Sequence, residues 1–372
     1  MIKIPPFLKQ GDRVIILASA RKITQQELND TISLLESKGL KVCLGESIEK
    51  EENQFAGSDQ LRARDLQRAI DDKQIKAVFF ARGGYGSVRI IDKVDFSPLE
   101  NNPKWLIGYS DVTVILNHVY FKHSVACLHA TMPVNIKKEF YSSSAIDSLF
   151  NLLFGKNFSF TTTCDFAQKD CKVKARVIGG NLSVLYSLLG SESFGDTNDL
   201  ILLIEDLDEY LYHIDRMMQA LKRAGKLKNL KALLVGAMTQ MHDNTIPFGK
   251  TAYEIIEEAV KEYYLHHCPS FTGDYWEITV QGTSSQFYPR RNYKIKGKTE
   301  LSPDEVERTH IYLNDGPFAT DYIVHGMTPN IEEDEDDPSI IPYTNPCQTD
   351  WFYMDNYDVG TNRFTMKIDY ME

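Results

Sequence analysis

The stretch WLIGYSDVTVILNHVYFKH, residues 105–123, places a serine between two different kinds of apolar segment. Trp105-Leu106-Ile107 is short and wholly apolar, which is typical of a buried parallel strand. Residues 111–123 begin with an acidic side chain and contain no Gly or Pro, which favours a helix. Ser110 is therefore expected at a strand-to-helix turn, with its hydroxyl above the sheet edge and the next amide free to donate to an oxyanion.

The turn at Ser110 has two interpretations. In one, the serine is a nucleophile; in the other, it is an ordinary N-cap of the helix that follows. The match to the nucleophile elbow of hydrolases is incomplete, because position 112 is Val rather than Gly. The turn alone leaves both interpretations open.

Strand-like and helix-like segments alternate on both sides of this turn. The pattern predicts an α/β fold with an N-terminal parallel sheet that is covered by helices on both faces. A second series of alternating strands and helices follows. After residue 265 the predicted strands become short, alternating and aromatic-rich, as in antiparallel sheets. We expect an N-terminal α/β nucleophile domain (1–136), a linker (137–170), a second α/β domain (171–273) and a β-rich C-terminal segment (274–372).

The net charge of −11 is unevenly placed along the 372 residues. Residues 265–372 hold 8 Lys/Arg and 19 Asp/Glu, so the whole imbalance lies in the C-terminal part. No basic surplus exists to drive nucleic-acid binding, and no apolar run is long enough to span a membrane. The six cysteines form no C-x-x-C pair, which argues against a zinc site and a disulfide framework. We expect a cytoplasmic protein without metal or cofactor.

Two further segments carry candidate chemistry. Arg82-Gly83-Gly84-Tyr85-Gly86 follows a predicted strand and is compatible with a phosphate cradle, an oxyanion-binding turn or a simple tight turn. Glu205 ends an apolar strand, so it is either a helix cap or a site residue. Because Asp206, Asp208 and Glu209 offer alternative caps, Glu205 is available for a site.

Ordered motifs add a resemblance to these local signals. The segments RGGYGS (82–87), GYSDVT (108–113), HATMP (129–133), IGGNLSVL (178–185) and LLIEDLDE (202–209), followed by IDRMM (214–218) and the stretch 235–249, resemble the LD-carboxypeptidase family. That family includes muropeptide LD-carboxypeptidases and the microcin C immunity peptidases. The resemblance covers residues 1–264.

The resemblance implies a serine peptidase that cleaves beside a D-configured residue, such as the terminal D-alanine of a cell-wall tetrapeptide. It implies that Ser110 is the nucleophile and that the amides of Gly84 and Asp111 form the oxyanion hole. Glu205 then orients a catalytic histidine, and the partner is a small peptide substrate.

The family's histidine motif is the point of departure. Relatives carry a Pro-x-Gly-His type turn after the helix that corresponds to 252–263, whereas this chain has Phe271-Thr272-Gly273-Asp274. A serine without a base is a poor nucleophile. His267 is the first choice for the base, and the adjacent His266 is the second.

Other functions stay open at this stage. The chain is compatible with a catalytically impaired relative that binds such peptides, or with an immunity-type peptidase that acts on a peptide-nucleotide antibiotic. A fusion or frame change near residue 265 also fits the charge imbalance. A cofactor-dependent oxidoreductase is disfavoured, since no complete G-x-G-x-x-G is present. A homodimer is compatible with all of these.

Overall fold

The computed structural model describes residues 2–156, 158–163, 173 and 175–264, together with three short strands at 284–287, 311–314 and 363–368. Seven α-helices lie in these ranges: α1 (Gln25–Ser37), α2 (Asp59–Asp71), α3 (Thr113–His123), α4 (Ser144–Leu153), α5 (Leu182–Ser187), α6 (Leu211–Arg223) and α7 (Ala252–Tyr264). Twelve strands accompany them: β1 (Arg13–Leu17), β2 (Lys41–Leu44), β3 (Ile75–Phe80), β4 (Trp105–Gly108), β5 (Leu128–His129), β6 (Phe158–Thr163), β7 (Val177–Asn181), β8 (Ile201–Leu207), β9 (Ala232–Thr239), β10 (Ser284–Phe287), β11 (Ile311–Asn314) and β12 (Arg363–Ile368).

The first sheet is wholly parallel and has the strand order β2-β1-β3-β4-β5. Alternate residues of its strands face opposite sides, so Ile16 and Phe79 pack with α1 and α4, whereas Leu17 and Phe80 pack with α2 and α3. Helices thus cover both faces, and the predicted α/β fold with an N-terminal parallel sheet is confirmed.

The strand order reverses at β1, since β2 lies on one side of it and β3 on the other. In open parallel sheets, ligands bind beyond the carboxyl ends of the strands at such a reversal. The segments that follow β1 and β3 are therefore the expected walls of a site.

The second sheet is also parallel, with the order β7-β8-β9. Its apolar residues belong to the same hydrophobic cluster as one face of the first sheet, because Ile178 and Leu202 join Leu17 and Leu106 in one core. The two sheets are therefore joined through packed side chains, with α3 against β7.

The segment 137–170 differs from the predicted linker. It contains α4, whose Leu149, Leu152 and Leu153 are fully buried in the core beneath the first sheet. Ser143 caps this helix by accepting a hydrogen bond from the amide of Ile146 (3.4 Å). Ser144 and Asp147 of α4 are exposed, whereas its apolar side is buried, so this part of the predicted linker is an amphipathic helix packed into the fold. The proposed limits of the domains stay predictions.

The strands of the C-terminal segment pair antiparallel wherever they are described. β10 pairs with β11, and β12 pairs with β6. The antiparallel pairing agrees with the short alternating pattern that the sequence shows there.

Candidate active site

Ser110 lies where β4 ends and a short 3₁₀ turn (Ser110–Val112) leads into α3. Its φ of +58° is in the left-handed region, which non-glycine residues adopt rarely and mostly where the surrounding structure enforces it. No side chain caps this turn or α3, so the N-cap interpretation of Ser110 is wrong. The half-buried hydroxyl has no hydrogen-bond partner within the described part of the chain, and the turn thus presents it towards the site.

The Gly-rich loop, residues 82–86, lies directly against this hydroxyl. A Cβ atom placed on Gly83 would be 3.0 Å from both Cβ and Oγ of Ser110, so any side chain at position 83 would crowd the serine. Gly84 has a φ of +114°, a conformation that L side chains rarely adopt. Among the described residues, no acceptor takes the amide hydrogen of Gly84 or Asp111. Both predicted oxyanion donors therefore keep a free N–H.

Asp111 links the turn at Ser110 to the Gly-rich loop. Its buried carboxylate accepts a hydrogen bond from the amide of Ser87 (2.8 Å), at the end of the Gly-rich loop. The Ser87 hydroxyl in turn lies 2.8 Å from that of Ser19, which follows β1. Burial raises the pKa of the Asp111 carboxyl, and its hydrogen bonds to the loop oppose that rise. The loops after β1, β3 and β4 are thus held in one network.

Arg62 of α2 completes this network beneath the site. Its side chain is 0% exposed, and its guanidinium donates to the carbonyl oxygens of Ser19 and Gly86, the latter at 3.0 Å. It also pairs with Asp59 at 2.5 Å. Because a buried guanidinium is costly without partners, its position is strongly constrained, and so are the backbone segments that it binds.

Glu205 comes from the second sheet. It is 8% exposed near the end of β8, and its Cα pairs with that of Asn181 on β7. The neighbouring Asp206 accepts hydrogen bonds from the amide of Ser183 (2.8 Å) and from the side chain of Asn181 (2.9 Å). Burial nevertheless raises the pKa of Asp206 to about 6.

The capping alternative for Glu205 can now be judged by its neighbours. Asp206 holds the N-terminus of α5, whereas Asp208 contacts His242 (2.5 Å) and Glu209 contacts His213 (2.5 Å). The N-cap of α6 is Tyr210, and it makes no side-chain cap. Asp206 therefore does act as a cap, but for the helix before it in the sequence rather than the one after it.

The two sheets meet next to the turn at Ser110. The amide of Asn181 donates to Oγ1 of Thr113 (3.1 Å), at the start of α3. A Cβ on Gly180 would lie 2.5 Å from the same Thr113 oxygen and 3.2 Å from Nδ1 of His129. Only glycine permits this approach, and through Asn181 it brings the strand of Glu205 to the helix that follows Ser110.

His129 lies at this junction as a half-buried, neutral group. Its Nδ1 has no hydrogen-bond partner in the described ranges, and burial lowers the pKa of the imidazole to about 4. Thr113, Asn181 and His129 were not among the predicted site residues. The pairing of the motifs GYSDVT and IGGNLSVL in space is visible only in the fold.

The predicted bases, His267 and His266, lie outside the described residues, as does the turn at 271–274. Apart from His129, the histidines of the described ranges contact other polar groups: His118 contacts Ser193 (2.8 Å), and His123 contacts Glu100 (2.9 Å). The base therefore stays a prediction. No cluster of three or more metal-ligating side chains occurs in the described ranges.

Family models match both halves of this arrangement. The LD-carboxypeptidase N-terminal domain matches residues 14–130, and the LD-carboxypeptidase C-terminal domain matches residues 174–273. The chain belongs to the LD-carboxypeptidase family. The resemblance drawn from the ordered motifs is confirmed, and the match to the second domain extends past His266 and His267.

Curated relatives of this peptidase family align with about two thirds of the chain or more. The probable murein peptide carboxypeptidase of Bacillus subtilis (strain 168) is 31% identical over 264 residues, which are 70% of this chain and 82% of that protein. The murein tetrapeptide carboxypeptidase of Pseudomonas aeruginosa is 28% identical over 277 residues, which are 70% of this chain and 88% of that protein.

Solved structures have the same fold. The muramoyltetrapeptide carboxypeptidase from Oxalobacter formigenes superposes with a TM-score of 0.62 at 24% identity, over 68% of this chain and 85% of that one. MccF in complex with glutamyl sulfamoyl guanosine gives a TM-score of 0.61 at 20% identity, over 70% and 87%. In the described ranges, no helix has the length and apolar character that a membrane span requires.

Proposed function

We propose that this protein is a serine-type LD-carboxypeptidase that releases a terminal D-amino acid from peptidoglycan-derived peptides in the cytoplasm. Family membership supports peptidase chemistry. The observation that carries the serine mechanism is the left-handed turn that presents the Ser110 hydroxyl beside Gly83. A Cβ built on Gly83 would lie only 3.0 Å from that hydroxyl. The relatives named as murein peptide carboxypeptidases support the choice of substrate.

In the proposed reaction, Ser110 Oγ attacks the carbonyl carbon before the terminal residue while an imidazole takes the hydroxyl proton. The free amides of Gly84 and Asp111 donate to the oxyanion that develops on the carbonyl oxygen. The tetrahedral intermediate collapses, the C–N bond breaks, and the imidazole returns the proton to the departing amine. Water then hydrolyses the acyl-enzyme by the same route.

His267, or His266 as the second choice, supplies the imidazole in this proposal, and Glu205 orients it. A carboxylate that accepts from the second ring N–H fixes the tautomer and stabilises the imidazolium. The position of Glu205 at the carboxyl end of a buried strand, on the sheet that docks beside Ser110, supports this role. The reaction requires neither a metal nor a cofactor.

A pair of tetrapeptides that differ only in the configuration of the terminal alanine tests this function. We expect the purified protein to release alanine from the D-configured peptide and not from its L-configured epimer, measured by chromatography of the products. Release from the L-epimer alone contradicts the LD specificity. Binding of the D-peptide without release at any pH indicates an impaired relative and contradicts the proposed activity.

A further inference from the structure

The segment that follows β1 carries an arginine into the site. β1 is the strand at which the order of the first sheet reverses, and Arg21 lies four residues after its end. The side chain crosses to the Gly-rich loop, where a Cβ on Gly84 would lie 2.6 Å from Cγ of Arg21 and 2.5 Å from Cδ. The aliphatic part of Arg21 therefore rests on the glycine that supplies a predicted oxyanion donor.

Arg21 contacts Gly84, and the preceding residue, Gly83, contacts Ser110. Gly83 and Gly84 have Cα atoms about 3.8 Å apart, as in any trans peptide. Gly83 is the glycine whose Cβ position lies 3.0 Å from Ser110 Oγ. The guanidinium of Arg21 thus belongs to the same edge of the sheet as the reacting hydroxyl.

The cations around this edge differ in how they are neutralised. Lys22 pairs with Glu51 at 2.7 Å, and Arg82 pairs with Glu27 at 3.5 Å. The exposed Arg21 side chain makes neither an ion pair nor a hydrogen bond with the residues that the structure describes. Of these three neighbouring cations, Arg21 alone has no carboxylate partner there.

We propose that Arg21 binds the free α-carboxylate of the residue that the enzyme releases. This inference rests on the proposed function, because a carboxypeptidase must recognise a chain end. When a single residue leaves, its carboxylate oxygens lie within about 5 Å of the carbonyl carbon under attack, given standard bond lengths. A guanidinium held over Gly84 is close to that position, and its planar fork matches a carboxylate through two parallel hydrogen bonds.

This assignment explains why the enzyme removes one residue rather than cutting within a chain. An internal peptide bond places a neutral amide where the carboxylate would be, and an amide gains little from an arginine. A charge-assisted bidentate contact contributes roughly 3 kcal/mol, which corresponds to about 100-fold in affinity. Arg21 is therefore a specificity-determining residue in this account.

Two peptides that differ only at the C-terminus provide the test, one with a free carboxylate and one with a carboxamide. Their binding is measured by calorimetry in the Ser110→Ala background, so that the result does not depend on turnover. We expect the free acid to bind about 100-fold more tightly. Adding Arg21→Met should remove that preference and leave the amide's affinity unchanged, whereas Arg21→Lys should keep part of it.

Lys22→Met is the matched control, because it removes an adjacent cation that already has a carboxylate partner; it should leave the preference intact. Equal loss of affinity for both peptides in Arg21→Met, or an unchanged preference, overturns the inference. Failure of both peptides to bind overturns it as well. If the preference depends on Arg21 but the protein with Ser110 intact does not hydrolyse the free-acid peptide, the carboxylate site is supported and the proposed activity is contradicted.

Discussion

The two halves of the candidate site are built in different ways. The half from the first sheet has its turns tied by buried polar groups, with Asp111 on the Ser87 amide and Arg62 on the carbonyl oxygens of Ser19 and Gly86. The half from the second sheet carries Glu205 and reaches the first through close contacts at Gly180 and the hydrogen bond from Asn181 to Thr113.

This difference predicts two kinds of effect: one on the shape of the turns at Gly84 and Ser110, and one on the alignment of Glu205 with Ser110. Substitutions in the first half are expected to disturb the turns at Gly84 and Ser110 and to lower the stability of the fold, because several buried groups lose partners together. Damage at the junction is expected to leave each half folded and to change only how Glu205 faces Ser110.

The largest expected effect is that of Ser110→Ala, which removes the hydroxyl that is proposed to attack the peptide. We expect turnover of a D-alanine-terminated tetrapeptide to fall by about 10⁴-fold or more, as in other serine hydrolases, while the melting temperature changes little. Ser124→Ala is the matched control, since Ser124 has nearly the same left-handed backbone (φ +56°) at the C-cap of α3. Comparable loss in both variants would indicate a backbone effect rather than a nucleophile.

Glu205→Gln tests the second half directly. If Glu205 orients the base, kcat should fall by about 10³-fold or more with little change in melting temperature, because the amide no longer fixes the charged imidazole. Asp208→Asn, an exposed acid that contacts His242, is the control and should retain turnover. A stability loss of about 0.5–2 kcal/mol with near-normal turnover is the signature of a cap and contradicts the proposed role.

Arg62→Met tests the network under the first half. Removing a buried, fully paired guanidinium should lower the free energy of unfolding by about 3 kcal/mol, because the carbonyl oxygens that it binds lose their donor. Arg64→Met on the same helix is the control; Arg64 is half exposed and pairs with Glu46, so its loss should cost under about 1 kcal/mol. If denaturant titrations show equal losses of unfolding free energy in the two variants, the Arg62 network stabilises the fold no more than a surface ion pair does.

His129 predicts a pH dependence of stability at the junction. Its pKa is about 4 in the folded protein and 6.5 for the unperturbed group, so the unfolded chain binds the proton more tightly between these values. Acidification from pH 7 to pH 5 should therefore cost the wild type at most about 2 kcal/mol more than it costs His129→Gln. Identical slopes for wild type and His129→Gln would contradict the lowered pKa of this imidazole.

The smallest expected effect belongs to Thr113→Val, which removes the hydroxyl that accepts from Asn181. A single hydrogen bond at the junction contributes about 1 kcal/mol, so we expect roughly a 5-fold fall in kcat with KM nearly constant. Thr113→Ser should restore turnover because it keeps the oxygen. A fall in melting temperature that accounts for all of the lost activity, with no rescue by serine, would make Thr113 structural only.

Local signals in the sequence were enough to predict most elements near the site. The apolar run before Ser110 is β4, and the unbroken run after it contains α3. These features depend on neighbours within a few residues. The strand-to-helix turn at Ser110 was predictable for the same reason.

The remaining features depend on contacts between distant segments. Arg21 meets Gly84, and Asp206 caps α5, across 63 and 23 residues of sequence that only the fold brings together. α4 is different, because its apolar residues alternate with the exposed Ser144 and Asp147 at helical spacing, and the sequence pattern was therefore sufficient to predict it. The base stays a prediction, since His266 and His267 lie outside the described residues.

Identification of the residue that forms the covalent intermediate tests the central claim most directly. The protein is treated with a serine-directed phosphonofluoridate, digested and mapped by mass spectrometry, while residual peptidase activity is followed in parallel. The account predicts one adduct, on Ser110, whose extent matches the loss of activity, and no adduct in Ser110→Ala. An adduct on a different serine that abolishes activity, or full activity after complete labelling of Ser110, would contradict it.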